Sequence, residues 1–285
     1  MKSAGTRPIW PRTARTLTDC GRYAFLLLAF VVAAYPVFWM ITTGVKGPAE
    51  AADWWRLPHS IRWRNFVEVW GAGQFLTYFL NSAVVTVASV VLTVAFAAPA
   101  GYAIAKLVFR GRRAVFILFL CGMMVPVHVT LIPLLKFLQF LSLYDTRVGL
   151  VAVYVAFSLP VAVVLFSAFF REVPRELEEA AELDGCGAWR TFVHIALPLA
   201  LPAVAGVAML TLVNVWNDFI FALVLLQSAA KMTLPLGVRN LRGEFGSDVP
   251  LMAAALTIAV VPPLVVYALA QRHLIRGLTA GAVKG

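Results

Sequence analysis

Six long apolar runs restrict what this chain of 285 residues can fold into more than any other feature of it. They lie at about Tyr23 to Thr43, Leu80 to Ala105, Ala114 to Leu135, Gly149 to Phe170, Leu199 to Gln227 and Leu251 to Ala270. A helix needs roughly 20 mostly apolar residues to cross about 30 Å of hydrocarbon. In lipid only a helix or a closed barrel satisfies every backbone N–H and C=O internally, and these runs are too long and too unalternating for barrel strands. Charged residues make up 13% of the chain, against about 25% in soluble domains. So few charges do not cover a water-facing surface. The expected fold is all-α: a polytopic membrane protein with six transmembrane helices.

The formal net charge is +10, yet nucleic acid is not the expected partner. The cations sit in the connections between apolar runs, where the positive-inside rule places them. An internal N-terminus puts about 15 of the 24 Lys and Arg residues on the inner side. These are Lys2, Arg7, Arg12, Arg15 and Arg22, then Lys106, Arg110, Arg112 and Arg113, then Arg171, Arg175 and Arg190, and finally Arg272, Arg276 and Lys284. Both termini are therefore expected on the cytoplasmic side. Cys20, Cys121 and Cys186 form no C-x-x-C spacing, so neither a metal site nor a disulfide framework is expected. Cys20 precedes its apolar run instead of following it, which excludes a lipoprotein signal. The first run is expected to stay in place as an anchor. No low-complexity tract or clear internal repeat is present, which argues against a secondary carrier built from inverted repeats.

The connection from Arg171 to Pro198 reads REVPRELEEAAELDGCGAWRTFVHIALP. Pro174 suits the start of a helix, and Glu176 to Leu183 are nearly all good helix formers. Acids gather in the first turns, where the helix dipole favours them. Gly185 and Gly187 are expected to supply the positive φ of a chain reversal, before a second helical stretch from about Ala188 re-enters the membrane.

This connection resembles the signature of permease subunits of ATP-binding-cassette importers: Glu-Ala-Ala, three residues, Gly, nine residues, Ile-x-Leu-Pro. Glu179, Ala180, Ala181, Gly185, Ile195, Leu197 and Pro198 match every position. YPVFWMITTGVKGPAE, FLNSAVVT, VPVHVTLIPL, VWNDFIFALVLL and the terminal QRHLIRGLTAGAVKG resemble, in order, the carbohydrate branch of the type I importers and its smaller permease subunit. The resemblance implies a type I importer permease fold in a bacterial inner membrane. It also implies a coupling helix that docks on a dimer of ATPase subunits, a second non-identical permease, and an extracytoplasmic solute-binding protein. The cargo implied is a small carbohydrate, with glycerol phosphate or another polyol as the alternative. ATP would be hydrolysed by the partners, with no cofactor bound directly, and no G-x-x-x-x-G-K-[ST] loop occurs here. The organisation expected is a cytoplasmic segment at 1–22, a first span and outer loop at 23–76, the permease domain at 77–271 with its coupling loop at 171–198, and a cytoplasmic tail at 272–285.

Polar groups inside spans are costly and become candidates for a pathway. Asn214, Asn217, Asp218 and Phe221 fall at i, i+3, i+4 and i+7, one face of a continuous helix, with Trp216 on an adjoining face. Amides and a carboxylate can hydrogen-bond sugar hydroxyls, and an aromatic ring can stack on a sugar's apolar face. Interhelical hydrogen bonding is the competing role. Asn81 and Ser82, opening the second run, carry the same two readings. The connection before the sixth run carries Lys231, Arg239, Arg242, Glu244 and Asp248. Resemblance places it toward the external binding protein; a solvated loop is the alternative. His59, His128, His194 and His273 show no metal-ligand spacing, and His128 reads as buried polar packing. A membrane enzyme would need convergent acids or nucleophiles within the spans. Asp218 is the only acid clearly inside one.

Overall fold

The computed structural model describes residues 12–50, 52–53, 55–245 and 248–282, with side chains for all of these except 12–18, 242–245 and 272–282. Lys2, Arg7 and Lys284 lie outside the described residues, as do the side chains of Arg12, Arg15, Arg242, Glu244, Arg272, His273 and Arg276. The described residues are helical with no strand. The helices are α1 (Arg12–Gly44), α2 (Arg64–Gly71), α3 (Phe75–Lys106), α4 (Arg112–Met123), α5 (Val127–Phe140), α6 (Arg147–Glu172) and α7 (Arg175–Leu183). They continue with α8 (Ala188–Thr191), α9 (Leu197–Leu199), α10 (Leu201–Trp216), α11 (Ile220–Leu225), α12 (Leu234–Phe245) and α13 (Val249–Ala282).

Four stretches are long and apolar enough to cross a membrane alone: Asp19–Gly44, Phe75–Lys106, Arg147–Glu172 and Val249–Gln271. Two bent pairs bring the number to as many as six if each pair is one span, with α4 and α5 bent by 102° and Ala188–Leu199 and α10 bent by 75°. The third run is thus bent within its length and the fifth at its start, and a proline stands at each bend. Pro126 stands between α4 and α5 at φ −70°, ψ 120°, and Pro202 follows Ala200 at the start of α10. Proline has no N–H to give an i−4 carbonyl, which interrupts the helical ladder at both places. Pro36, Pro99 and Pro160 are instead accommodated inside α1, α3 and α6.

The chain divides into two compact units. One contains α1 and the residues up to Val67, together with Asp248–Thr257. Within it, Gly44 lies against Ala254, and Asn65 Nδ2 donates to the carbonyls of Gly44 (2.9 Å) and Lys46 (2.8 Å). The outer faces of α1, from Tyr23 to Phe38, are largely exposed, as a lipid-facing helix requires.

The other unit runs from Glu68 to Ser247 and resumes at Ile258. Its centre is the packing of α3 on α6. Ala97, Gly101 and Ala105 recur every four residues on α3, a seam that lets two backbones approach closely. A Cβ on Gly101 would lie 2.5 Å from Phe166 Cβ and 3.0 Å from Ser167 N. Beside the seam, Tyr102, Phe166, Phe170 and Phe192 form an aromatic cluster with centroids 5.2 to 6.3 Å apart. Lipid tails are as apolar as these side chains, so dispersion and close fit hold the pair together rather than exclusion of water. A second core, from Val85, Leu150, Val153, Tyr154, Val215, Phe221 and Leu225, joins α3, α6, α10 and α11.

Candidate functional site

The signature connection folds as a capped helix tied to the end of α3. In α7, Glu176 and Glu178 occupy the first turn, where acids suit the dipole. At its other end, Gly185 N donates to Glu182 O (3.0 Å) and Cys186 N to Ala181 O (2.8 Å). This pair of bonds is the Schellman arrangement, which needs a left-handed residue just past the helix. Gly185 has φ +78° and supplies it. Gly187 does not: it is extended, at φ −76° and ψ 164°. Pinning comes from Lys106, whose ammonium, on a side chain only 4% exposed, donates to Val173 O (2.7 Å) and pairs with Glu178 Oε1 at 3.3 Å.

Glu179 and Ala180 are exposed while Ala181 is buried. Leu183 and Trp189 stand out at 90% and 68% exposure, so this end presents apolar side chains without cover. After α8 the chain makes a π turn over Phe192–Ala196, closed by Leu197 N bonding Phe192 O. Pro198, which has no N–H and crowds the carbonyl four residues back, accounts for the local widening. Ile195 and Leu197 are half-buried, with Leu197 packed on the α3–α6 core, and Pro198 is exposed.

The polar residues of the fifth run do not share one helix. α10 ends at Trp216, Asn217 caps it at φ −91°, ψ −3°, and α11 begins only at Ile220. Asp218 sits in the break, where its Oδ1 accepts from Tyr154 OH (2.8 Å), Phe221 N (3.1 Å) and Ala222 N (3.4 Å). It therefore caps α11 and ties it to α6. Asn214, Asp218 and Phe221 line a cavity of about 320 Å³ bounded by the α4–α5 bend, α6 and α10. Tyr154, Ser158 and Thr211 add polar groups to that cavity. Tyr154 and Ser158 stand at i and i+4 of α6, a spacing legible in the sequence. Trp216, Asn217 and Asn81 are not among its lining residues. Trp216 is buried, donating from Nε1 to Ala259 O (3.0 Å) with its ring edge-on to Phe79, and Asn217 turns its amide back to Val213 O (2.9 Å).

Asn81 and Ser82 hold the segment before α12. Asn81 Nδ2 donates to Ala230 O and Met232 O, both at 2.9 Å, while its Oδ1 accepts from Arg147 (2.9 Å). Ser82 Oγ accepts from Leu234 N at 2.7 Å. Nearby, the α5–α6 turn at Asp145 clasps the same segment. Asp145 accepts from Gln227 N, Ser228 N, Ser228 Oγ and Lys231 Nζ. Burial pushes the Asp145 carboxyl up, but these hydrogen bonds outweigh it and hold the group well below the usual carboxylate range. The connection before the sixth run, for which a solvated loop is one of two alternatives, contains the helix α12, which buries Leu234, Leu236 and Leu241 and exposes Arg239. His128 is exposed near the start of α5 rather than buried: the α4–α5 bend sets it outside the packed helices.

Residues 97–280 match the model of the family described as binding-protein-dependent transport system inner membrane component. A protein of Caldicellulosiruptor sp., described as an ABC transporter permease, is 38% identical over 265 residues, which cover 92% of this chain and 96% of the relative. The diacetylchitobiose uptake system permease protein NgcG of Streptomyces coelicolor is 32% identical over 265 residues, 92% of this chain and 88% of that protein. Among solved structures, a chain of a bacterial ABC transporter involved in import of the acidic polysaccharide alginate superposes with a TM-score of 0.80. It is 24% identical, and the match covers 93% of this chain and 99% of that one. That likeness shows the fold.

Proposed function

This chain belongs to the binding-protein-dependent transport system inner membrane components, and from that premise we propose that it is a pathway subunit of an ATP-driven importer for a sugar or oligosaccharide. It is a membrane-embedded transport permease and not a catalytic enzyme. A second, non-identical permease completes the pathway, a dimer of ATPase subunits hydrolyses the ATP, and an external binding protein delivers the cargo. Both termini and the α7 connection face the cytoplasm, in keeping with the distribution of Lys and Arg.

In this reading ATP binding closes the ATPase dimer, and the motion enters through Glu179 to Gly185. The observation that carries it is the construction of that segment. The Glu-Ala-Ala helix offers Ala180 and Leu183 outward, ends in a glycine-dependent cap, and is fastened to α3 through Lys106. A helix free on one face and anchored on the other transmits displacement into the α3–α6 pair. Ile195, Leu197 and Pro198 carry the same segment back into the span. The cavity at Asn214, Asp218 and Phe221 lies along the pathway, with Tyr154 and Thr211 among its polar groups. Trp216, Asn217 and Asn81 stand outside that cavity, Asn81 holding the segment before α12. A carbohydrate cargo accords with the uptake named for NgcG and with the hydroxyl, amide and carboxylate groups beside aromatic rings in the cavity.

The test is uptake by the complete importer in proteoliposomes supplied with ATP and binding protein. Labelled oligosaccharide is expected to accumulate and to be displaced by unlabelled oligosaccharide but not by glycerol phosphate. Displacement by glycerol phosphate alone would transfer the assignment to the polyol alternative.

A further inference from the structure

At the α7 end of the spans, α3, α4 and α6 line a second, open pocket of about 320 Å³, formed by Ile104, Arg112, Arg113, Phe116 and Arg171. Three of its five lining residues are arginines and none is acidic. Among the described residues, none of the three guanidinium groups pairs with a carboxylate. Glu172 is adjacent in sequence, and Glu178 is already engaged by Lys106. Arg112 spends part of its fork on Ala105 O (3.1 Å) and Leu107 O (3.5 Å), which fixes its position. Arg171 rests over the ring of Phe116, 5.2 Å from its centre. Arg113 makes no hydrogen bond or ion pair among the described residues. α4 also starts here: Gly111, at φ +87°, precedes it and gives no side-chain cap. Arg112 N is taken by Phe109 O (3.4 Å), and the positive end of the dipole of this 12-residue helix still favours an anion.

From this geometry we infer a binding site for the phosphate group of an anionic phospholipid. Planar guanidinium forks match phosphate oxygens, and three unneutralised cations around one cavity repel each other until an anion joins them. A lipid is favoured over free phosphate because the cationic cup opens onto an apolar flank. Val108 is 94% exposed, and Ile117 and Leu118 on α4 are 46% and 69% exposed, one to two turns further along the span. Phosphate in the cup and acyl chains along α4 satisfy both surfaces at once. Basic pockets between spans on the cytoplasmic side commonly take anionic headgroups in this way. The site rests on the membrane reading and on the proposed cytoplasmic placement of the α7 end, and not on the proposed cargo or coupling route.

The test is native mass spectrometry of the full-length chain, alone and in the assembled importer, titrated with phosphatidylglycerol or phosphatidylcholine. The comparison is with R113Q/R171Q, with R113K/R171K, and with Arg56→Gln, an exposed residue paired to Asp53. Phosphatidylglycerol is expected to bind more tightly than phosphatidylcholine and to weaken about 30-fold in R113Q/R171Q, as removal of two interfacial cations predicts. The lysine pair is expected to keep most of the affinity, and Arg56→Gln all of it. Excess inorganic phosphate should leave the lipid bound. Unchanged affinity in R113Q/R171Q, at wild-type helix content and elution volume, would overturn the site. Complete displacement by inorganic phosphate would overturn its assignment to a lipid. Loss of lipid on assembly with the ATPase subunits would show the arginines to be a protein contact instead. Should the double variant misfold, Arg113→Gln alone carries the test, since Arg113 supports no other residue.

Discussion

Replacing Gly185 with Asn, Ala or Val perturbs one dihedral angle and little else. Its φ is +78°, and a Cβ built there meets no atom within 4 Å, so the side chain itself has room. The cost is therefore backbone strain, about 1–2 kcal/mol for an ordinary L-residue in the left-handed region. Asn pays less because its short polar side chain supports that conformation, and β-branched Val pays most. Strain of that size shifts the capped end of α7 toward open forms by roughly 5- to 30-fold. What is lost is the bonding of Gly185 N to Glu182 O and of Cys186 N to Ala181 O. The assay is cargo transported per ATP hydrolysed by the reconstituted importer at equal incorporation of this subunit. The expected order is Gly, Asn, Ala, Val, with assembly retained. Equal coupling for Gly and Ala, or an order that follows side-chain volume and not left-handed tolerance, would refute the reasoning.

Lys106→Met removes the partner of Glu178 and the donor to Val173 O, and should lower the thermal stability of the subunit by about 1–3 kcal/mol. Adding Glu178→Gln should return part of the loss, and strictly additive effects in the double-mutant cycle would contradict the pinning. Gly101→Val forces α3 from Phe166 and should cost about 1–3 kcal/mol, measured as loss of folded, monodisperse protein in detergent. Asp145 has a folded pKa depressed below its unfolded value of about 3.9. Its clasp thus stabilises fully above that value and loses the contribution as pH falls through it toward the folded pKa. The difference in unfolding temperature between wild type and Asp145→Asn should accordingly be constant near neutrality and shrink in acid. A difference that grows on acidification would contradict the sign.

Much of this architecture is legible in residue order because lipid imposes a simple rule: long apolar segments must become helices. The α7 segment is equally legible, since helix formers followed by Gly185 specify a helix and its left-handed end. What residue order does not disclose is where a span breaks. Pro126 and Pro202 stand at bends in two apolar runs, whereas Pro36 and Pro160 are accommodated within two others, and tertiary context decides between a kink and a bend of 102° or 75°. The break at Asn217 to Phe219 is of the same kind. It converts Asp218 from one member of a polar helix face into the cap of α11, and separates Trp216 from the cavity. Gly187, read as a second left-handed residue, is extended because the Schellman end needs only Gly185. The seam at Ala97, Gly101 and Ala105 carries a four-residue spacing of small side chains that sequence inspection can find, but its partner, Phe166, becomes evident only in three dimensions.

The most direct test of the central claim is to measure uptake of labelled oligosaccharide by this chain and its permease partner in proteoliposomes, with the ATPase subunits present and then omitted. The account predicts ATP-dependent accumulation in the complete complex and none once the ATPase subunits are absent. Accumulation without them would contradict the account and make this chain a carrier in its own right.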